Sequence, residues 1–158
     1  MKNYKTEINN ILVIGCGGAG LRAAIEAKMM GLSVKIFGKR KRYDSHTVLA
    51  AGGINAPFGN RDKEDSWQQH FVDTFVEGYG IADPEIIEAL AKNAINAVDE
   101  IDKWGANLTK MKNGNLDQRF FGAHKYRRTC YAGDYTGKAI LDALLKKVDS
   151  LEIPIQDD

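Results

Sequence analysis

The chain has 158 residues and a net charge of +1, with 22 basic residues set against 21 acidic ones, so it carries no global field to gather nucleic acid or to hold an anionic membrane. Its two cysteines, Cys16 and Cys130, lie far apart with no paired-cysteine spacing, which excludes a disulfide framework and an encoded iron–sulfur or zinc site. No basic and apolar signal pattern precedes the first apolar run, and no stretch approaches the length of a membrane span, so the composition fits a cytoplasmic protein without direct membrane insertion.

The first element is Asn10-Ile11-Leu12-Val13-Ile14, a short continuous apolar run of the kind expected for a strand buried on both faces of a parallel sheet. A glycine-rich turn follows at once. Gly15-Cys16-Gly17-Gly18-Ala19-Gly20 places glycines at the first, third and sixth positions of the G-x-G-x-x-G pattern. The first allows a tight turn, the second a close approach of backbone to a pyrophosphate, and the third close packing of helix on strand. Ala19 to Met30 is rich in helix formers, and Gly31 is placed to end that helix in a left-handed cap. Leu32 to Phe37 reads as the next strand. This strand, turn, helix and strand form a Rossmann-like βαβ start, with an anion site at the positive helix N-terminus. Cys16, inside the turn, reads as a small filler.

After the second strand the chain reads Phe37-Gly38-Lys39-Arg40-Lys41-Arg42, with no carboxylate for an adenosine ribose. The basic run is read equally well as a 2′-phosphate site for NADP or as a solvated loop. Further on, Asp65-Ser66 caps a helix on which Trp67, Phe71 and Phe75 recur at four-residue steps, an apolar face expected in the core; His70, on the same helix, reads as structural. Asp83-Pro84 is an N-cap followed by proline at the first helical position. From there Ile86, Ile87, Leu90, Ala94, Ala97, Val98, Ile101 and Trp104 keep a helical period until Gly105. Lys112-Asn113-Gly114-Asn115 predicts a hairpin turn between Leu108–Met111 and Leu116–Phe120, with Asn-Gly taking positive φ angles. Thr136 to Val148 is the last helix, capped near Asp134, and Leu151 to Asp158 reads as a strand just begun.

The segment Ser45-His46-Thr47-Val48-Leu49-Ala50-Ala51-Gly52-Gly53 follows the glycine turn by the distance a flavin spans. Its Ser-His-Thr-Val run, with Gly52-Gly53-Ile54, resembles the flavoprotein subunits of succinate dehydrogenase and fumarate reductase, a group that also includes L-aspartate oxidase. Gln118-Arg119-Phe120-Phe121-Gly122, Arg128-Thr129 and Asp134-Tyr135-Thr136-Gly137 are similar to later motifs of the same group, so the resemblance runs along essentially the whole chain.

The resemblance implies an FAD cofactor, contacted by Gly15, Gly17, Gly18, Ala19, Gly20, Gly38, Lys39, Ser45, His46, Thr47, Gly52 and Gly53. It also implies a covalent bond from the His46 imidazole to the flavin 8α-methyl carbon, formed by a neutral ring nitrogen acting as nucleophile; the alternative is a non-covalent or exposed His46. Two positions depart from the group's pattern. Ala51 stands where Gln or Glu is common, which bears on proton handling, and Gly38 where Ser or an acidic residue is common, which bears on the ribose contact.

The implied activity is interconversion of succinate and fumarate by hydride transfer with the flavin, with Phe121 lining the substrate. Arg119, His124, Lys125, Arg127 and Arg128 crowd cations around this aromatic, as a dicarboxylate site would want; charge alone favours a basic surface loop, and the resemblance points to the site. The group's proton-transferring arginine and its main carboxylate-binding residues fall beyond residue 158. The fold expected for 1–158 is therefore α/β, the N-terminal portion of a larger FAD-binding domain without its capping domain, inactive alone. Within the larger protein the implied partners are a dicarboxylate substrate and an iron–sulfur subunit, through which membrane association would come. L-aspartate oxidase and a non-catalytic nucleotide-binding module are the other readings.

Overall fold

The structure is a computed structural model that describes residues 7–157. A parallel sheet of three strands, in the order β1 (Ile11–Ile14), β2 (Val34–Phe37) and β5 (Ile155–Gln156), forms the first lobe. Ile11 is in register with Val34 and Ile14 with Phe37, while Ile36 pairs with Ile155, so the terminal strand adds to the sheet as its sequence predicts. Between β1 and β2 runs α1 (Gly18–Met29), ended by Gly31 at φ +84°, the left-handed stop expected from the sequence.

The second lobe is built on an antiparallel pair, β3 (Ile54–Asn55) with β4 (Thr129–Cys130), and on α2 (Trp67–Glu77) and α3 (Pro84–Ile101), whose last turn widens through Asp102–Ala106. Helix α4 (Thr136–Ser150) serves both lobes. Its Leu141, Leu144 and Val148 pack with Leu21, Ile25, Val34 and Ile36 of the first core, while Ala139 and Ala143 pack with Val98, Ile101, Leu108 and Cys130 of the second. Each such leucine or isoleucine contributes roughly 1.5–3 kcal/mol by leaving water, and one helix carries that gain into two cores.

Four expectations change. β1 is buried on one face only: Ile11 and Val13 pack on the core, whereas Leu12 is 57% and Ile14 80% exposed, because α1 and α4 both cover the same side of the sheet. On α2 the buried residue is His70, and Trp67, Phe71 and Phe75 are only half-buried, with Phe71 and Phe75 stacked at 6.0 Å. Periodicity located the stripe correctly but not the side that faces the core. The predicted hairpin pairs antiparallel at Lys110 and Leu116, with the Met111 N–H on the Asn115 carbonyl and the Asp117 N–H on the Thr109 carbonyl at 2.8 Å each, but in its turn Gly114 alone takes positive φ, at +88°, and the Asn113 side chain accepts from the Asn115 N–H. Finally, α4 lacks a side-chain cap at Asp134. Tyr135 precedes the helix, and the Gly137 N–H is satisfied by the Ala50 carbonyl at 2.6 Å.

Helix α2 is tied to the segment before β4 by charge. Arg128, fully buried, donates through Nη2 to Asp65 Oδ1 and Asp73 Oδ2, each at 2.8 Å. Asp73 also accepts from Gln69 Nε2 at 2.7 Å and from the Lys125 N–H at 3.2 Å, and Arg127 is clamped by Asp62. His70 sits beside this cluster, 3% exposed, with Nδ1 3.2 Å from the Thr74 hydroxyl. Burial, followed by the charge of Arg128, pushes its pKa down.

Two outcomes follow from this packing. A Cβ at Gly20 would overlap the Gly15 carbonyl, whereas one at Gly31 meets open space and only the cost of its left-handed φ. Gly20→Ala is expected to lower the unfolding free energy by about 1–3 kcal/mol through overpacking, and Gly31→Ala by about 1 kcal/mol through backbone strain. Urea denaturation that ranked them in the opposite order would contradict the close helix–strand contact. The second concerns acid. Because the folded His70 binds its proton less readily than an unfolded histidine, the unfolded state gains protons below about pH 6.5 and this group's contribution to stability falls as pH drops. Asp65, raised chiefly by burial, acts in the opposite sense, so the readout is the difference between wild type and His70→Gln. Between about pH 7.5 and about pH 5.5 the variant should lose less stability than wild type; equal losses would show that the folded His70 takes up its proton as readily as an unfolded histidine.

Candidate functional site

The glycine turn and the segment from Ser45 meet in one groove. Gly15 turns at φ +116° while its N–H donates to the Phe37 carbonyl at 2.7 Å, fixing the turn across the tips of β1 and β2. Helix α1 then starts at Gly18, whose N–H donates to Thr47 Oγ1 at 2.9 Å. Cβ atoms at Gly17 and Gly18 would come within 3.4 and 3.3 Å of Thr47 Oγ1, so the missing side chains let the Thr47 segment lie directly on the helix start. A groove of ≈ 370 Å³ remains, lined by Ile14, Gly15, Gly17, Gly18, Ala19, Gly20, Ser45, His46 and Thr47.

The groove's chemistry is that of an anion site. It ends on the positive pole of α1, whose first turn carries no acidic residue. Ser45 Oγ is buried there without a protein partner, a polar atom left for something outside the chain. His46 lies at the exposed rim. Cys16 packs behind the turn with Sγ 3.5 Å from the Arg40 carbonyl, its thiol pKa raised by burial, as suits a filler and not a nucleophile.

The remaining predicted positions fall into other places. Gly38 and Lys39 lie at the end of β2, outside the groove lining; the Gly38 N–H donates to the Gln156 carbonyl at 2.8 Å, and a Cβ there would strike Cys16 Sγ. In the basic run, Arg42 is engaged by Asp157 through Nε at 3.0 Å and Nη2 at 2.8 Å, a partner that sequence reading did not foresee. That pairing lowers the Asp157 pKa and leaves Lys39, Arg40 and Lys41 as an exposed loop, the solvated alternative.

Gly52 and Gly53 form a second assembly with Phe121. The Phe121 ring lies against Gly52 so closely that a Cβ would overlap it, and Gly53, at φ +129°, packs on Thr129 and the Cys130 carbonyl. Phe121 itself is 57% exposed, presenting its ring outward. The arginines around it are already engaged within the chain, whereas Lys125 is exposed. Arg127 and Arg128 are taken by Asp62, Asp65 and Asp73, and Arg119 Nη2 donates to the carbonyls of Gly52 at 2.8 Å and Gly133 at 3.2 Å. His124 is half-buried, with Nε2 3.4 Å from Asn55 Nδ2 and its pKa lowered by burial and then by Arg128. The cluster that looked like a substrate cradle is thus largely internal scaffolding. Sequence reading also missed Gly137, where a Cβ would collide with the Thr47 and Ala50 carbonyls; its glycine was visible, but its neighbour was not.

Comparison with known proteins agrees with this geometry. The family model described as FAD binding domain matches residues 10–158. A fumarate reductase (CoM/CoB) subunit of Methanothermobacter marburgensis is 41% identical over 150 residues, covering 94% of this chain and 27% of that protein. The succinate dehydrogenase flavoprotein subunit of Rickettsia bellii is 37% identical over 146 residues, covering 87% and 24%. Among solved structures, Mycobacterium smegmatis Sdh1 in complex with UQ1 superposes with a TM-score of 0.89 at 38% identity, covering 94% of this chain and 27% of that one. The E. coli quinol fumarate reductase gives 0.84 at 31% identity, covering 94% and 25%. The chain spans about a quarter of the length of these relatives. From the glycine turn to the terminal strand, it belongs to the FAD-binding-domain family.

Proposed function

We propose that residues 1–158 are the N-terminal portion of the FAD-binding domain of a flavoprotein that interconverts succinate and fumarate. The observation that carries this reading is the Gly18 to Thr47 hydrogen bond, which sets the Ser-His-Thr segment in one groove with the glycine turn. The residues fit the cofactor. Gly15, Gly17, Gly18, Ala19 and Gly20 offer bare backbone at a helix N-terminus to a pyrophosphate, and the unpartnered Ser45 hydroxyl adds a donor. Gly38 and Lys39 stand at the ribose end; Thr47, Gly52 and Gly53 run along the ring, and His46 is the attachment residue for a covalent flavin. Bound FAD supplies the hydride donor or acceptor.

On this reading the chain's own residues bind and orient. Phe121 covers part of the substrate with its exposed ring, and the glycines beneath it allow a close approach. Substrate carboxylates are received by residues outside this segment, since Arg127 and Arg128 are already paired. The electron partner on this reading is an iron–sulfur subunit; that relatives are named as the flavoprotein subunit of succinate dehydrogenase, one subunit among others, supports a partner of some kind. Membrane association then comes through partner subunits, as no helix among the described residues is long and apolar enough to cross a membrane.

The covalent assignment is checked on the full-length protein by flavin fluorescence after denaturing electrophoresis. Wild type should show a fluorescent band that His46→Ala reduces to background, with FAD still present in the native variant. A band retained in the variant would remove His46 from the role. The reaction is checked by turnover at full FAD loading, where either succinate oxidation or fumarate reduction should proceed at roughly 1 per second or faster. Flavin-loaded protein that is inert toward both, or that oxidises L-aspartate instead, would displace the proposal.

A further inference from the structure

We infer that Arg119 is a positioning residue for the flavin-facing loop, holding the carbonyl side of Ala51–Gly52 so that this loop and the Phe121 ring keep one fixed spacing. The inference rests on the functional reading above only in taking that loop to face the flavin.

The backbone of Arg119 is itself fixed. Its N–H donates to the Thr129 carbonyl at 3.0 Å and its carbonyl accepts from the Thr129 N–H at 3.2 Å, so it is locked beside β4. From that base, Nη2 reaches the Gly52 carbonyl at 2.8 Å and the Gly133 carbonyl at 3.2 Å, with Ala51 O at 3.4 Å. One nitrogen therefore joins two loops that are otherwise separate in the chain. The guanidinium plane is set by Tyr131, whose ring centroid lies 4.2 Å from Cζ and whose hydroxyl is tied to Asp117 at 2.9 Å.

Its neighbours have a different task. Arg127 and Arg128 meet carboxylates and spend their charge on ion pairs, whereas among the described residues no carboxylate lies within ion-pair distance of Arg119. A cation aimed at carbonyls orients backbone dipoles rather than neutralising an anion. Gly52 is the point at which this matters. Its carbonyl is held by Arg119, and a Cβ on it would run into the Phe121 ring, so a shift of Gly52 moves the ring's seat. Lysine cannot substitute: it keeps the charge but lacks the planar fork that stacks on Tyr131 while reaching two loops.

The test compares full-length, FAD-loaded wild type with Arg119→Lys, Arg119→Met and Gly52→Ala. The readouts are FAD content, visible circular dichroism of the flavin, and kcat and KM for the dicarboxylate. Both arginine variants should retain FAD yet change the flavin dichroism, and kcat should fall roughly tenfold to a hundredfold with KM within about threefold, the signature of misplacement without lost binding. Gly52→Ala, which disturbs the same seat through the ring, should produce a dichroism change of the same kind. Wild-type dichroism and kcat in Arg119→Lys would show that charge alone suffices and overturn the inference, as would unchanged dichroism in Arg119→Met. Should Arg119→Met fail to fold, the lysine and Gly52→Ala arms decide. If wild type turns over neither succinate nor fumarate, the functional reading falls while the dichroism, which needs no substrate, still decides the role of Arg119.

Discussion

The segment from Ser45 to Gly53 closes two helices at once, and the rest of the structure depends on that shared closure. The first N–H groups of a helix have no partner within it and must find one elsewhere. At α1, Thr47 Oγ1 takes the Gly18 N–H; at α4, the Ala50 carbonyl takes the Gly137 N–H. A single loop of ordinary length thereby stands in for two side-chain caps, neither helix start having one of its own. This works only because residues 17, 18 and 137 lack side chains that would hold the loop away. The constraint is steric first and hydrogen-bonded second.

The second lobe is organised by buried charge. Arg128 has two carboxylates for partners and still leaves Nε and Nη1 without one. Such a cluster contributes less stability than its Coulomb attraction implies, since desolvating the ions offsets much of it, but removing one partner would strand the others. Its effect here is geometric. Asp65 precedes the Ser66 cap of α2 and Asp73 lies about two turns further on, so a single guanidinium sets where that helix sits against β4. Arg119 extends the same economy of means to carbonyls, on the side that faces Gly52.

What could be read from the sequence was whatever depends on near neighbours. The β1–turn–α1–β2 unit follows from an apolar run, spaced glycines and a terminal Gly31, all within a few residues of the contacts they make. The Asp83–Pro84 helix start is local in the same way, with Asp83 accepting from the Glu85 N–H at 2.9 Å. What escaped were choices between faces and partners. The aromatic stripe of α2 is real, yet His70 goes inward because the buried ion cluster lies on its side. The cations near Phe121 read as a substrate cradle because composition reports charge without reporting what answers it; the answering carboxylates come from Asp62, Asp65 and Asp73, more than fifty residues earlier. Arg42 and Asp157 are a still longer pairing.

The two parts of the candidate site belong to different lobes, and only the Ser45–Gly53 loop is common to both. The groove at α1 is built on the parallel sheet, whereas Phe121 and Gly53 rest on the small antiparallel pair. Were the loop loose, the spacing of the two parts would depend on contacts elsewhere, among them α4, Trp104 and the Arg22–Glu100 ion pair. It is instead held at Thr47 by α1, at Ala50 by α4, at Gly52 by Arg119 and at Gly53 by packing on β4. Anchors so closely spaced along nine residues leave the backbone little freedom, and the entropy of that ordering is lost in folding and not in binding. A ligand that spans both lobes therefore meets a site whose length is already set, and His46, next to the first of these anchors, is carried at a fixed place along it.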